Sequence, residues 1–167
     1  MLFTRHKMSS VKRRSKPMIL NVPEEFVNTQ NTRAKSTNYS NRKNMDYELL
    51  EWIHLRNNPY AKPPTHYYYH DLIEGWQHIE YKHVSGKYLN LTLTQVNRYK
   101  QAVTQDLLTH FRLWQIKENN DNILKPNQKV EVEVIDTIPA SIVLDNLKKS
   151  QYNEGYYYVV LDNNDIE

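Results

Sequence analysis

The stretch TLTQVNRYKQAVTQDLLTHFRLWQIK, residues 92–117, decides how the rest of the chain is read. Val96, Tyr99, Val103, Leu107, Phe111 and Trp114 recur in it at steps of three and four residues. That spacing lays one apolar stripe along a helix of about six turns. Thr92 suits an N-cap, and Gln95 stands where the reciprocal partner of a capping box belongs. Neither Gly nor Pro interrupts the run. The spacing therefore predicts a single central helix from Thr92 to Lys117, on which the other elements pack.

Two further helices are expected upstream. Leu49, Leu50, Trp52, Ile53 and Leu55 give residues 46–57 a broad apolar face, with Asn44 or Asp46 as N-cap. Asn57-Asn58-Pro59 stops that helix, because the residue before Pro resists helical angles. Leu72, Ile73, Trp76, Ile79 and Glu80 fit helical spacing over residues 71–81, with Gly75 as a weak point. A Pro-rich connector, Tyr60 to Thr65, lies between them. Tyr88, Leu89, Leu91 and Leu93 read as a brief strand or as the entry to the central helix.

Downstream the period changes. Val130, Val132 and Val134 alternate with Glu131 and Glu133, as in a half-buried strand. Ile142, Val143, Leu144 and Leu147 suggest a short helix, and Tyr156 to Leu161 a second strand. The fold class expected is α+β. It has a mainly helical body of three helices, a small C-terminal strand-helix-strand unit, and a disordered or partner-ordered basic N-terminal arm. Residues 1–44 are arm and linker. Residues 45–167 are one small globular domain, helical over 45–118, with an α/β extension over 119–167.

The 167 residues contain no cysteine, which excludes a disulfide scaffold, thiolate zinc sites and a Cys nucleophile. No apolar run is long enough for a membrane-spanning helix, and no apolar h-region follows the basic start, so neither a membrane span nor a secretory signal is expected. The net charge of +3 conceals a division. Residues 1–44 hold ten Lys and Arg against Glu24 and Glu25, giving +8, and the remainder carries −5. A basic segment on a mildly acidic body points to nucleic acid or an acidic partner.

The candidate nucleic-acid contacts are Arg5, Lys7, Lys12, Arg13, Arg14, Lys16, Arg33, Lys35, Arg42 and Lys43. Residues 12–16 (KRRSK) also suit a nuclear or mitochondrial address. Tyr67, Tyr68 and Tyr69 are candidate stacking or interface aromatics. With Tyr60, Tyr81 and Tyr88 they are interleaved with Lys62, Lys82 and Lys87, a composition that suits stacking on single-stranded bases or anchoring a protein contact. His66, His70, His78 and His83 have a spacing that zinc can use, but nothing aligns the two pairs, and no metal or cofactor is expected.

No phosphate-cradling Gly-rich loop and no nucleophile elbow is present. Asp71 and Glu74 on one helical turn read as solvated surface. Arg98, Lys100, Arg112 and Lys117 lie off the apolar stripe of the central helix and suit either a solvent face or a base-reading one. The sequence thus leads to a non-enzymatic small subunit of a larger nucleic-acid-associated assembly in the nucleus or mitochondrion. Other protein subunits and nucleic acid would be its partners. A free-standing DNA- or RNA-binding regulator comes second and a nucleic-acid-directed enzyme third.

Overall fold

Residues 92–117 form two elements. The computed structural model describes residues 10–12, 16–36, 42–59, 61, 71–84, 86–117 and 123–162. In chain order these give β1 (Ser10–Lys12), β2 (Lys16–Asn21), α1 (Glu24–Ser36), α2 (Arg42–Asp46), α3 (Leu49–Asn57), β3 (Leu72–Glu74), β4 (Gln77–His83) and β5 (Tyr88–Thr92). They continue with α4 (Leu93–Thr104), β6 (His110–Ile116), β7 (Lys129–Pro139), α5 (Ala140–Asp145), β8 (Lys148–Lys149) and β9 (Tyr156–Asp162).

The helix begins as expected: Thr92 and Gln95 form the reciprocal capping box. It ends at Thr104, in a cap where Asp106 takes φ 59. Leu107 N–H bonds Ala102 O at 2.8 Å and Asp106 N–H bonds Val103 O at 3.1 Å, the Schellman pattern. Glycine is the usual residue at that left-handed position, so an aspartate there hides the stop.

β6 mimics helical spacing for a different reason. It is a central strand covered on both faces, and its register shifts between Leu113 and Trp114. β6 itself alternates without a break, and the extra residue, Ile135, lies in β7. Phe111 and Leu113 enter one core, and Trp114 and Ile116 the other. Phe111 and Trp114, three apart, therefore look like successive positions on one helical stripe.

The expected helix over 71–81 is also replaced. Leu72 pairs with Ile79 and Glu74 with Gln77 in an antiparallel hairpin. Gly75, at φ 64, occupies the first position of its two-residue turn, where a type II′ turn calls for glycine. Of the three-helix body, only the helix ending at Asn57 is found close to where it was placed, as α3 preceded by the short α2.

The molecule is strand-dominated. A five-stranded sheet runs β2-β7-β6-β4-β3, with β4 and β6 parallel and the other pairs antiparallel. A second sheet runs β1-β9-β5, and β8 also pairs with β9. β7 and β9, expected as neighbours in one C-terminal unit, belong to different sheets. One face of the five-stranded sheet packs against α4, α5 and the inner face of the second sheet, around Tyr99, Phe111, Leu113, Leu89 and Val159. The other packs against α1 and α3, around Phe26, Leu49, Leu50, Tyr81 and Trp114.

The disordered or partner-ordered arm is corrected in the same way. Residues 16–21 pair with residues 129–134 of β7, and Val22, Phe26 and Val27 are buried in the second core. Residues 10–12 pair in parallel with 160–162 of β9. Apolar side chains too few to make a fold of their own complete two sheets that already have open edges.

Candidate active site

β4 alternates, so Ile79 and Tyr81 enter the core beneath α3 while Glu80 and Lys82 share the opposite face. In the parallel partner β6, Glu80 stands beside Phe111 and Lys82 beside Leu113. α4 closes over them. Tyr99 donates its phenol to Glu80 Oε2 at 2.9 Å, and Lys82 Nζ lies 5.2 Å from the centre of the Tyr99 ring.

Asp71 joins from the mouth of the β3–β4 hairpin. Its N–H bonds Ile79 O at 2.8 Å, and its Oδ2 accepts the N–H of Tyr81 at 2.7 Å. Two bonds to β4 therefore fix the carboxylate between the backbone positions of Glu80 and Lys82. Glu51, in the first turn of α3, shares a carboxyl–carboxyl hydrogen bond with Asp71. All four side chains are half-buried.

The electrostatics are those of a site short of positive charge. Burial, then the charge of Asp71, pushes Glu80 up to about 8, although Lys82, Tyr99 and Arg98 pull the other way. Burial and the neighbouring Asp71 hold Glu51 well above the carboxylate range. Burial raises Asp71 too, against the Glu51 hydrogen bond, the Tyr81 N–H and Lys82. Burial lowers the Lys82 ammonium despite Glu80 and Asp71 beside it. Acids shifted upward beside a lysine shifted downward are the marks of groups poised for proton transfer or for a cation. Arg98 on α4 adds charge to the cluster, and among the described residues its Nε has no hydrogen-bond partner.

A second polar network lies on the other face of the sheet. Arg112 donates to Thr137 Oγ1 at 2.7 Å, Tyr81 OH at 2.7 Å and Glu74 Oε1 at 3.0 Å. Asn58 reaches Glu74 Oε2 at 3.0 Å, and His54 Nδ1 lies 2.6 Å from Tyr81 OH. His54 is one turn beyond Glu51 on α3. The network therefore ties the helix carrying Glu51 to the strand carrying Glu80 and Lys82.

The residues singled out in the sequence fall elsewhere. Arg5, Lys7, Arg13, Arg14, Tyr67, Tyr68, Tyr69, His66 and His70 lie outside the described residues. Lys12 and Lys16 belong to β1 and β2, and Lys43 to α2. Arg33 pairs with Glu48 at 2.6 Å, and Lys35 is exposed in the last turn of α1. Arg42 is buried against Asp46 and Asn31. His83 stacks on Tyr47 with ring centres 3.9 Å apart and accepts the N–H of Ile116. Alternation puts His78 and His83 on opposite faces of β4. Asp71 and Glu74, read as one solvated pair, serve the two different clusters. Arg112, read as a helix-surface cation, is the hub of the second.

Glu51, Glu80 and Tyr99 were not singled out as candidate site residues, and Lys82 only as a cation among the tyrosines. The available signal was Glu80-Tyr81-Lys82, two charges at period two flanking apolar side chains, and a helical reading of 71–81 dissolves it. Among the described residues, no three or more His, Cys, Asp or Glu side chains are spaced as a metal cage. A magnesium-type ion does not need one: one or two carboxylates suffice, with waters and substrate phosphates completing the shell. Asp71 and Glu80 offer the hard oxygen donors such an ion takes.

Comparison of the chain with family models, with curated proteins and with solved structures gave no match.

Proposed function

We propose that this protein hydrolyses phosphodiester bonds of nucleic acid with the help of a divalent cation. One observation carries the reading: Asp71 is hydrogen-bonded to β4 beside Glu80 and Lys82, with Glu51 against it, the acids raised and the lysine lowered. Asp71 and Glu80 would hold the cation through their carboxylate oxygens, and its charge would favour their ionised forms against burial. When bound, such an ion polarises a phosphoryl oxygen. Lys82, with its lowered proton affinity, holds the attacking water and takes its proton. Glu51 holds Asp71 in place through their shared hydrogen bond. Arg98 offers its unused N–H to the phosphate. The +8 charge of residues 1–44 favours a polyanionic substrate over a small ester.

The test is cleavage of single- and double-stranded DNA and RNA with magnesium or manganese, against a chelator control. Asp71→Asn, Glu80→Gln and Lys82→Ala should each lose at least about a hundredfold in rate, the scale of removing one acid–base or charge-stabilising group. A wild-type chain that binds nucleic acid but cleaves none of the four substrates with either metal would return the reading to a non-enzymatic subunit of a nucleic-acid assembly. That reading draws on the same basic segment.

A further inference from the structure

The second sheet has an outer face that the core does not use. Along β9, Tyr157, Val159 and Leu161 point into the core, which leaves Tyr156, Tyr158 and Val160 outside. Along β5, Leu89 and Leu91 are buried, leaving Tyr88 and Asn90 outside. The register sets Asn90 beside Tyr158 and Thr92 beside Tyr156 on one edge, and Lys148 beside Tyr158 on the other. Tyr88 and Tyr158 meet edge to face with ring centres 5.8 Å apart. Beyond them the β8–β9 connection presents Tyr152, 91 % exposed. A cavity of about 330 Å³ opens among Tyr88, Asn90, Ser150, Gln151, Tyr152 and Tyr158.

Tyr88, Tyr152 and Tyr156 are all exposed to solvent. Their surroundings are cationic. Lys87 Nζ lies 5.5 Å from the Tyr88 ring, and Lys148 and Lys149 form the β8 edge. Glu154 is the single acid in segments 86–92 and 148–161. Base faces stack on aromatic rings while cations hold the backbone, and only unpaired bases offer their faces.

We propose that this face binds a single strand of nucleic acid, with Tyr88, Tyr152 and Tyr158 stacking on unpaired bases and Lys87 and Lys148 facing the phosphates. The site is separate from the acid cluster and does not depend on its chemistry. Amide and hydroxyl groups of Asn90, Gln151 and Ser150 line the cavity and can hydrogen-bond the edge of a base seated there.

Fluorescence anisotropy of a labelled twelve-residue oligothymidylate with the whole protein, in chelator, reads binding without cleavage. An oligouridylate of equal length and a duplex containing the same strand are measured alongside. The single strands should bind more tightly than the duplex. Tyr88→Ala and Tyr158→Ala should each weaken binding by about five- to a hundredfold. Tyr152→Ala removes a ring that the core does not contain, so it should weaken binding with an unchanged melting temperature. Lys87→Ala with Lys148→Ala should flatten the salt dependence. Asp71→Asn should bind as the wild type does, so loss of cleavage leaves this inference standing. Unchanged affinity in folded Tyr88→Ala and Tyr152→Ala would overturn it. So would a change of sedimentation coefficient on those substitutions with no change in oligonucleotide affinity, which would make the face a protein interface.

Discussion

The Tyr99 hydroxyl, carried by α4, donates to Glu80 Oε2 on β4 at 2.9 Å. The bond holds the ionised form of a carboxylate that burial disfavours. Tyr99→Phe keeps the ring in its T-shaped contact with Phe111, 5.1 Å away, and removes only the donor. Glu80 should then titrate higher, and the acid limb of the pH–rate profile for cleavage should move to higher pH. An unmoved limb would show that Glu80 does not control it.

Glu80 also ties stability to pH. Its folded value of about 8 lies above the ordinary 4.5, so the folded state binds the extra proton. Stability from this group is full below about 4.5 and is lost as pH rises through about 8. Glu51 and Asp71, also raised, act in the same direction. Lys82, lowered, acts oppositely over its own window beneath 10.5. Thermal melts in chelator between pH 5 and 9 should slope downward, less steeply in Glu80→Gln. Magnesium should recover stability at the alkaline end.

Arg112 is the structural counterpart. Its side chain is 13 % exposed and its partner Glu74 is 33 % exposed. Removing the guanidinium leaves Glu74 Oε1 without its donor and the partly buried Glu74 carboxylate without its counter-charge. We expect Arg112→Leu to cost about 3 kcal/mol in urea unfolding, the lower end for breaking a buried pair. Arg33→Ala breaks a pair whose ends are 46 % and 40 % exposed, and less than about 1 kcal/mol should be lost. Equal losses would mean that Arg112 is no hub.

Trp114 is fully buried between α3 and the sheet. Trp114→Ala should cost about 3–5 kcal/mol through lost burial and the cavity left behind. Asp106→Gly should instead gain about 0.5–1 kcal/mol, because glycine accepts the left-handed angle that aspartate holds at φ 59. A loss on Asp106→Gly would assign the aspartate side chain a role of its own.

What could be read from the sequence followed local chemistry. The Thr92–Gln95 box, the stop before Pro59, the alternation of residues 130–134 and the strand at 156–161 each depend on neighbours in the chain. The fold class failed where tertiary context overrode period. Burial of both faces of β6 put Phe111 and Trp114 three apart and imitated a helical stripe, and Asp106 concealed the end of α4. Asp71 and Glu74 were visible as acids. Their separation into two clusters depends on a hairpin and on Arg112, thirty-eight residues from Glu74 in the chain. Glu51 reaches the site only because α3 packs on a strand that was itself read as helix.

β9 is the last of the described strands, and β1, β5 and β8 all pair with it. During synthesis β1 and β5 leave the ribosome long before this partner exists. Until residues 156–162 emerge, the edge of β5 that pairs with them is open, so closure of this sheet is the slow, non-local step of folding. A truncated or stalled chain would therefore carry an open strand edge and a basic leader together, which makes it prone to aggregate and to cling to polyanions.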